Sequence, residues 1–253
     1  MQNRMKQAMA QGRPTFGYVL SVASPQIARL LAGTGVDWLM IDLEHAPIGV
    51  ETMAAMIGAT TGLPVTPIVR VPAVGSDLVK PALDNGALGI VFPQVATHEE
   101  AKQAAVATHY SPKGYRGFGP TYAALRWGLS PGDYIKAADD QMLTIVLIES
   151  PAGVAELDEI LTVEGIDVVV IARGDLSESL GLAGQFDHPG VKKIVAEAEA
   201  KILGAKRAAL GGIAFSSAEA KEMAARGYLF VALASDAALI QRAASAQMKE
   251  IRG

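Results

Sequence analysis

Ionisable residues end several apolar segments of this sequence, and their types limit the chemistry that the chain can perform. They are Asp42, Glu44 and His45 after one segment, Arg70 at the end of the next, Glu149 further along, and Asp175. Because an isolated charge is costly to bury, each of these groups needs a partner, an ion or water. If the segments are parallel strands of a barrel, their carboxyl ends meet on one face and these side chains converge there.

Glu149 and Asp175 have the spacing of a metal site. They are separated by roughly one strand–helix–strand repeat, so neighbouring strands would bring them side by side. Adjacent carboxylates raise each other's pKa unless a cation lies between them. Two protein oxygens, with positions left for water and substrate, suit Mg²⁺ or Mn²⁺, and Co²⁺ is also compatible. The alternative is structural: each carboxylate caps a helix or pairs with Arg173.

His45 and Arg70 are candidates for proton transfer and for holding an anion. An imidazole titrates near neutral pH, and the carboxylates in its sequence context, Asp42-Leu43-Glu44-His45, can orient it as a general base. The planar guanidinium of Arg70 suits a carboxylate or a developing enolate oxygen. Both residues also have structural interpretations: His45 as a hydrogen-bond partner of a loop, and Arg70 in a salt bridge with Glu44 or Asp42.

The positions of the lysines argue against one mechanism. They fall in predicted helices or loops, or, for Lys206, just before a predicted strand. A lysine that forms a Schiff base in a barrel aldolase would project from within a strand into the core. For carbon–carbon chemistry on a keto acid, we therefore expect a metal ion to act as the electron sink.

The elements that must position these residues alternate between strand and helix. Strands are predicted at 16–21, 36–42, 65–70, 88–92, 143–149, 167–172, 208–215 and 228–234. Helices are predicted near 25–34, 51–60, 76–85, 98–109, 151–162, 189–204, 217–226 and 236–250. The strand segments are continuously apolar, as in parallel strands buried on both faces.

This alternation predicts an α/β protein with a single-domain (β/α)₈ TIM barrel over residues 1–253. A doubly wound sheet is the alternative, although the first strand is not followed by a glycine-rich dinucleotide turn. The long connection between Pro93 and Gln141 is expected to shape the rim of the site. The C-terminal helix, 236–250, is expected to pack at a subunit interface.

Composition excludes several classes of protein. Of 253 residues, 50% are hydrophobic and 19% are charged, which provides enough apolar material for a large core. Twenty-two basic and 26 acidic residues give a net charge of −4 without a basic run, so we expect no nucleic-acid or membrane partner. Cysteine is absent, which excludes disulfides and thiolate metal sites. The N-terminal segment lacks the apolar core of a signal peptide, and a cytoplasmic location is expected.

A series of motifs in this chain resembles the HpcH/HpaI family. They are GVDWLMIDLEHAPIGVETM, PIVRV, VFPQV, GYRGFGP, LIES and GDLSESLG, in that order. The resemblance extends from Gly17 to Ala244, nearly the whole chain. The D-x-E-H element together with the two carboxylate motifs is more specific than either alone. The resemblance implies a class II, metal-dependent aldolase that acts on pyruvate.

For the metal and the substrate, the resemblance implies a role at each matching position. Glu149 and Asp175 would bind the divalent metal ion, which pyruvate would chelate through its carboxylate and keto oxygens. The backbone around Gly174 and Asp175 would receive the pyruvate carboxylate. Arg70 would hold the keto oxygen and stabilise the enolate.

For proton transfer, the resemblance implies that His45 is the base and acts through water, with Asp42 close enough to help orient it. Asp84, reaching the site from a neighbouring subunit, would raise the basicity of that histidine. A site shared in this way requires an oligomer, and family members are usually trimers or hexamers. We therefore expect a homotrimer or a homohexamer.

The chain departs from the family pattern at two places. Leu147 stands where many relatives carry a glutamine that helps to position the substrate. Ala172 and Arg173 replace the usual Gly-Pro before the aspartate motif, which adds a cation near the carboxylates. Both changes leave the metal carboxylates in place and alter the surroundings of the substrate.

The resulting hypothesis is reversible aldol cleavage of a 4-hydroxy-2-oxo acid to pyruvate, or a related 2-oxo acid, and an aldehyde. An oxaloacetate decarboxylase is an alternative, because loss of CO₂ generates the same enolate. A coenzyme A ester lyase of the same superfamily is another, although the sequence lacks an obvious basic patch for the nucleotide. Outside the enzymes, a catalytically silent barrel could bind a keto acid as a sensor.

Overall fold

The computed structural model describes residues 2–253 as a closed barrel of eight parallel strands. The strands pair in chain order, and β1 closes the barrel against β8. Their bounds are β1 Thr15–Leu20, β2 Trp38–Asp42, β3 Thr66–Arg70, β4 Gly89–Phe92, β5 Leu143–Ile148, β6 Val168–Ile171, β7 Ala209–Ile213 and β8 Phe230–Ser235. The single-domain TIM barrel is confirmed, and the doubly wound alternative is wrong.

Helices pack against the barrel, and all but the first and the last connect consecutive strands. They are α1 Arg4–Ala10, α2 Pro25–Ala32, α3 Val50–Ala59, α4 Val79–Asp84, α5 His98–Thr108, α6 Thr121–Arg126, α7 Pro131–Gln141, α8 Pro151–Ala155, α9 Leu157–Ile160, α10 Arg173–Ser179, α11 Pro189–Ala205, α12 Ser217–Ala225 and α13 Asp236–Arg252. The helix predicted near 151–162 is two helices that meet at Glu156. None of the helices within residues 2–253 combines the length and the hydropathy that a membrane span requires.

Helix α10 is absent from the sequence prediction. Its seven residues, RGDLSES, complete too few turns to give a clear apolar periodicity. The consequence is local but important, because α10 begins directly after β6 and carries Asp175 in its first turn. Asp175 therefore lies on a helix at the end of the barrel strand.

Two apolar layers hold the barrel together. The outer layer lies between strands and helices, and the inner layer fills the barrel with side chains from alternate strand positions. In the inner layer, the rings of Trp38 and Phe230 stack with centroids 4.2 Å apart. Met5 and Met9 of α1 join this layer, which places α1 across the amino-terminal end of the barrel.

The opposite, carboxyl-terminal end of the barrel is fixed by polar contacts. Asp236, at the start of α13, is almost fully buried and accepts hydrogen bonds from the backbone N–H groups of Ser21 and Val22. It also accepts a bond from the hydroxyl of Ser21, at 2.8 Å. These bonds tie the end of β8 to the end of β1, where the barrel closes.

Candidate active site

A cavity of about 590 Å³ lies at the carboxyl end of the barrel. Asp42 and Arg70, from the ends of β2 and β3, form the main polar part of its wall. Most of the remaining wall is apolar. The lining residues are Val19, Ser21, Met40, Asp42, Arg70, Val91, Leu147, Val170, Ile213, Phe215, Phe230, Ala232, Leu233, Ala234, Ser235, Ala238 and Arg242.

Arg70 is held by two carboxylates from β2 and the loop after it. Its Nε and Nη2 atoms donate to the two oxygens of Asp42 at 2.9 and 2.8 Å, a bidentate pair. Its Nε also lies 3.2 Å from Glu44 Oε2. Parallel pairing sets Asp42 opposite Arg70 in the register of β2 and β3, which explains why the two side chains meet.

This arrangement fixes the charge of Asp42. Burial alone would raise the pKa of this carboxyl, but the hydrogen bonds and the positive charge of Arg70 bring the pKa below its usual value. Asp42 Oδ1 also accepts the backbone N–H groups of Glu44 and His45, at 3.0 and 3.3 Å. The salt bridge that the sequence left as an alternative for Arg70 is therefore present.

His45 lies at the rim and is mostly exposed, with 68% of its side chain accessible. Its Nε2 atom is 3.5 Å from Glu44 Oε2, which makes Glu44 the carboxylate next to the ring. Asp42 reaches His45 only through the backbone N–H. Burial raises the pKa of Glu44, while Arg70 and His45 oppose that rise. The ring is thus free to contact solvent, and the carboxylate beside it is Glu44 of the same D-x-E-H element.

Glu149 follows β5 and faces a concentration of negative charge. Its Oε2 atom accepts the backbone N–H of Gln94 at 2.8 Å, and Gln94 has a positive φ of 55°. Burial, followed by repulsion from Asp175, raises the pKa of Glu149 to about 7. Glu44 contributes to the same rise, and Arg70 opposes it. The structure therefore brings both predicted metal ligands into one electrostatic cluster.

The charges of this cluster do not balance. Asp42, Glu44, Glu149 and Asp175 supply carboxylates, whereas Arg70 is the cation that contacts two of them and influences a third. Glu44 Oε2 is buried and accepts no hydrogen bond within residues 2–253. A divalent cation with bound water would compensate the carboxylates and could supply a donor to that oxygen.

The protein side chains alone would not complete the coordination of such an ion. Residues 2–253 contain no group of three or more histidine or carboxylate side chains arranged to hold a metal. A pair of carboxylates leaves positions open for water and for a chelating substrate. That is the donor set of Mg²⁺ or Mn²⁺ sites that bind through one or two carboxylates.

A family model described as HpcH/HpaI aldolase/citrate lyase matches residues 16–243. The chain belongs to this family. The HpcH/HpaI family comprises class II aldolases, which are carbon–carbon lyases, and the sequence-based assignment is confirmed. Membership agrees with the position of the charged cluster, at the carboxyl end of the barrel strands.

Two curated HpcH/HpaI relatives are similar over almost their whole length. The hydroxypyruvate/pyruvate aldolase of Deinococcus radiodurans is 42% identical over 245 residues, covering 96% of this chain and 88% of the relative. The 4-hydroxy-2-oxo-heptane-1,7-dioate aldolase of Escherichia coli (strain SE11) is 40% identical over 248 residues, covering 97% of this chain and 94% of the relative. A solved HpcH/HpaI aldolase/citrate lyase family protein from Burkholderia cenocepacia J2315 superposes with a TM-score of 0.90 at 34% identity, with both chains fully covered.

The two departures from the HpcH/HpaI pattern have different surroundings. Leu147 is buried in the cavity wall, so the wall is apolar at that point. Arg173 does not pair with Glu149 or Asp175; its Nη2 atom lies 2.7 Å from Glu219 Oε1. The added cation is therefore paired with α12 and not with either of the predicted metal ligands.

Asp84 does not meet His45 within the chain. It ends α4 and accepts a hydrogen bond from Nη2 of the buried Arg116 at 2.8 Å. Burial raises the pKa of Asp84, and Arg116 and Lys80 oppose the rise. A contact between Asp84 and His45 would thus have to come from another subunit, as the sequence analysis expects.

The sequence offered Glu44 as a carboxylate near His45 and as a possible partner of Arg70, whereas it gave Gln94 no role. Glu44 is the carboxylate beside His45, and Gln94 supplies a backbone donor to Glu149. The Gln94 contact uses a main-chain group, so its side-chain type carries no signal for it.

Proposed function

We propose that this protein catalyses the reversible aldol cleavage of 4-hydroxy-2-oxo acids to pyruvate, or a related 2-oxo acid, and an aldehyde. The observation that carries the proposal is the pairing of Arg70 with an excess of carboxylates at the mouth of the barrel. The names of the two curated relatives support a 2-oxo acid as substrate. A small cavity with one anchored arginine suits a compact keto acid.

Glu149 and Asp175 would hold the divalent metal ion, Mg²⁺ or Mn²⁺, with Co²⁺ also compatible. The raised pKa of Glu149 and the repulsion between the two carboxylates support this assignment, because a cation would relieve both. When bound, such an ion withdraws electron density from the keto group and makes the methyl C–H bond more acidic.

Side-chain and backbone groups of the chain would bind the substrate and stabilise the enolate. Arg70 would hold the keto oxygen: its Nε and Nη2 are bound to Asp42, and Nη1 makes no hydrogen bond within residues 2–253. The enolate charge would then develop next to a guanidinium that is already oriented. The backbone N–H groups at the start of α10, around Gly174 and Asp175, lack a side-chain cap and would receive the carboxylate.

His45 would accept the methyl proton through a water molecule and return it in the reverse direction. Its exposure gives the ring access to water, and Glu44 at 3.5 Å would stabilise the imidazolium that forms. Asp42 would act indirectly, by holding the backbone of His45 and the guanidinium of Arg70. These contacts support His45, Arg70 and Asp42 as a unit for proton transfer and enolate stabilisation.

The first experiment measures exchange of solvent deuterium into the methyl group of pyruvate by proton NMR. We expect EDTA-treated enzyme to be inactive and resupplied Mg²⁺ or Mn²⁺ to restore exchange, since the metal acidifies the methyl group. Exchange that persists without metal would overturn the class II mechanism. Exchange without any aldehyde condensation, combined with release of CO₂ from oxaloacetate, would favour a decarboxylase instead.

The proposal includes a site shared between subunits of a homotrimer or homohexamer. Asp84 would contact His45 of the next subunit, and α13 would pack on a partner. On α13, only Asp236 is buried, whereas Ile240, Met248 and Ile251 are exposed within the single chain. Apolar side chains spaced along a helix that projects from the barrel favour such a contact.

Subunit mixing tests this shared site. His45→Ala and Asp84→Asn enzymes should each be nearly inactive in pyruvate exchange. After unfolding and co-refolding, about a quarter of the sites in a random closed ring would combine an intact His45 with an intact Asp84 from its neighbour. We therefore expect about a quarter of the wild-type exchange rate. Mixtures that remain as inactive as the parents would show that a neighbouring subunit does not supply Asp84, and an active Asp84→Asn parent would place Asp84 outside the site. Native mass spectrometry, which resolves the mass difference between the two variants, shows that subunits have mixed.

A further inference from the structure

Four side chains form a compact cluster beside the cavity, here named the Arg173 clamp: Arg173, Phe186, Phe215 and Glu219. The rings of Phe186 and Phe215 are nearly parallel, with centroids 5.1 Å apart and planes 11° apart. The guanidinium carbon of Arg173 lies 4.5 Å from the Phe186 centroid and 5.1 Å from the Phe215 centroid. Both rings are thus within cation–π distance of one arginine.

Glu219 joins the arginine to the backbone that carries Phe215. Its Oε1 atom lies 2.7 Å from Arg173 Nη2, and its Oε2 atom accepts the backbone N–H of Phe215 at 2.8 Å. One carboxylate therefore restrains both the cation and the segment between β7 and α12. Because Arg173 starts α10 while Glu219 lies on α12, the clamp links the connections after β6 and β7.

Phe215 connects the clamp to the site. Its ring lines the same cavity as Asp42 and Arg70, yet half of the residue remains exposed. A half-exposed phenylalanine would ordinarily sample other rotamers, but stacking on Phe186 and contact with Arg173 restrain this one. The clamp thus presents an ordered apolar surface to any group that extends from Arg70 across the cavity.

The charges around the cavity favour an uncharged group at that surface. Arg173 is neutralised by Glu219, and Arg70 by Asp42 and Glu44. Leu147 adds an apolar side chain to the wall. Arg242 is the remaining cation of the lining, and its Nε donates to Ala238 O of its own helix at 3.3 Å. A distal carboxylate would have to recruit Arg242 from that exposed position.

We propose that Arg173 and Glu219 are positioning residues that hold Phe215 as an aromatic wall, and that this wall selects aldehydes with an apolar or aromatic substituent over those with a second carboxylate. The proposal rests on the aldolase function above and adds its acceptor class. Phe215 contacts the acceptor, whereas Arg173 and Glu219 act through Phe215.

The test is a competition between two aldehydes that differ at one end. Butanal and succinic semialdehyde have four carbons each, and the distal methyl of the first is a carboxylate in the second. With pyruvate and Mg²⁺ or Mn²⁺, we expect the wild-type enzyme to favour butanal in kcat/KM, and benzaldehyde also to be accepted. Phe215→Ala should reduce the butanal preference by about 10-fold or more, the usual effect of an apolar contact on selectivity. Phe215→Trp should retain it.

The direction in which Arg173→Met changes the preference for butanal distinguishes a positioning role from direct binding of a carboxylate by Arg173. If Arg173 positions Phe215, its loss reduces the preference for butanal. If Arg173 binds a carboxylate itself, its loss increases that preference, which would overturn the proposal. Glu219→Gln keeps an acceptor for the Phe215 N–H but removes the charge, and should change the ratio in the same direction as Arg173→Met.

Glu222→Gln is the matched control, since Glu222 lies on the same helix and forms no ion pair within residues 2–253. Its ratio of kcat/KM for butanal to that for succinic semialdehyde should equal the wild-type ratio. A wild-type preference for succinic semialdehyde that disappears in Arg242→Gln would also overturn the proposal. Pyruvate exchange is measured in parallel for the wild type. Absence of that exchange would refute the aldolase function itself, whereas normal exchange with ratios that do not respond to the clamp variants would refute only the acceptor class.

Discussion

Arg70→Lys is expected to slow pyruvate methyl exchange by about 10²–10³-fold, the usual effect of removing an oriented donor from a developing oxyanion. Lysine retains a positive charge between Asp42 and Glu44, so the fold should persist. A single ammonium, however, cannot form the bidentate pair with Asp42 and also present a planar N–H to the cavity. The measurement is the exchange rate at saturating metal ion, with Mn²⁺ binding followed by electron paramagnetic resonance.

Arg70→Ala provides the contrast. Removing the cation would leave the carboxylate of Asp42, which is almost fully buried, without its charged partner. Loss of one partner from a buried pair costs about 3–5 kcal/mol, so this variant should unfold at lower denaturant concentration as well as lose activity. An Arg70→Lys enzyme that exchanges pyruvate at the wild-type rate would contradict the role of the guanidinium in enolate stabilisation, and a loss of stability in Arg70→Ala would then make Arg70 a structural residue only.

Arg70 shows what the sequence could and could not predict. The residue types and their places at strand ends predict that Asp42, Arg70, Glu149 and Asp175 converge, since parallel strands of a barrel end on one face. The sequence offered a salt bridge and an anion-binding role for Arg70 as alternatives. In the structure the salt bridge uses Nε and Nη2 and leaves Nη1 available, so the pair supports the proposed role.

The features that the sequence did not predict depend on contacts between distant segments. Arg173 was expected near the carboxylates, but it turns to Glu219, more than one strand–helix repeat later in the chain. Its direction depends on Phe186 and Phe215, whose stacking has no periodic signal. Strand order follows from local patterns, whereas these pairings follow from side-chain rotamers.

Glu149→Gln is expected to weaken metal binding and to stabilise the metal-free protein. As a ligand, Glu149 should contribute more than the ~10–100-fold in affinity that residues around a ligand supply. We therefore expect a loss of more than about 100-fold in Mn²⁺ affinity and no detectable exchange. For the wild type, affinity should fall as the pH decreases below about 7, since the proton on Glu149 then competes with the metal ion.

Whereas Glu149→Gln should weaken metal binding, it should increase the stability of the metal-free protein. The pKa of Glu149 rises from 4.5 to about 7 in the folded protein, so the native state binds more protons than the unfolded chain between these values. The metal-free wild type should therefore lose stability as the pH rises through this range, and remain less stable above it. Glutamine cannot ionise, so the Glu149→Gln protein does not undergo this loss. With solvent screening taken into account, its free energy of unfolding at pH 8 should exceed that of the metal-free wild type by about 1–2 kcal/mol.

Urea unfolding in EDTA at pH 5 and pH 8 measures this difference, and Glu156→Gln, at an exposed position just after α8, is the control. The control should keep the pH dependence of the wild type. A Glu149→Gln protein that is less stable than the wild type at pH 8 would mean that Glu149 is a favourable structural group, for example through its bond to Gln94. A gain in metal-free stability together with a loss of metal binding distinguishes a ligand from a structural carboxylate. A ligand site concentrates like charges that only the ion neutralises, so the protein without its metal is stabilised when one of those charges is removed.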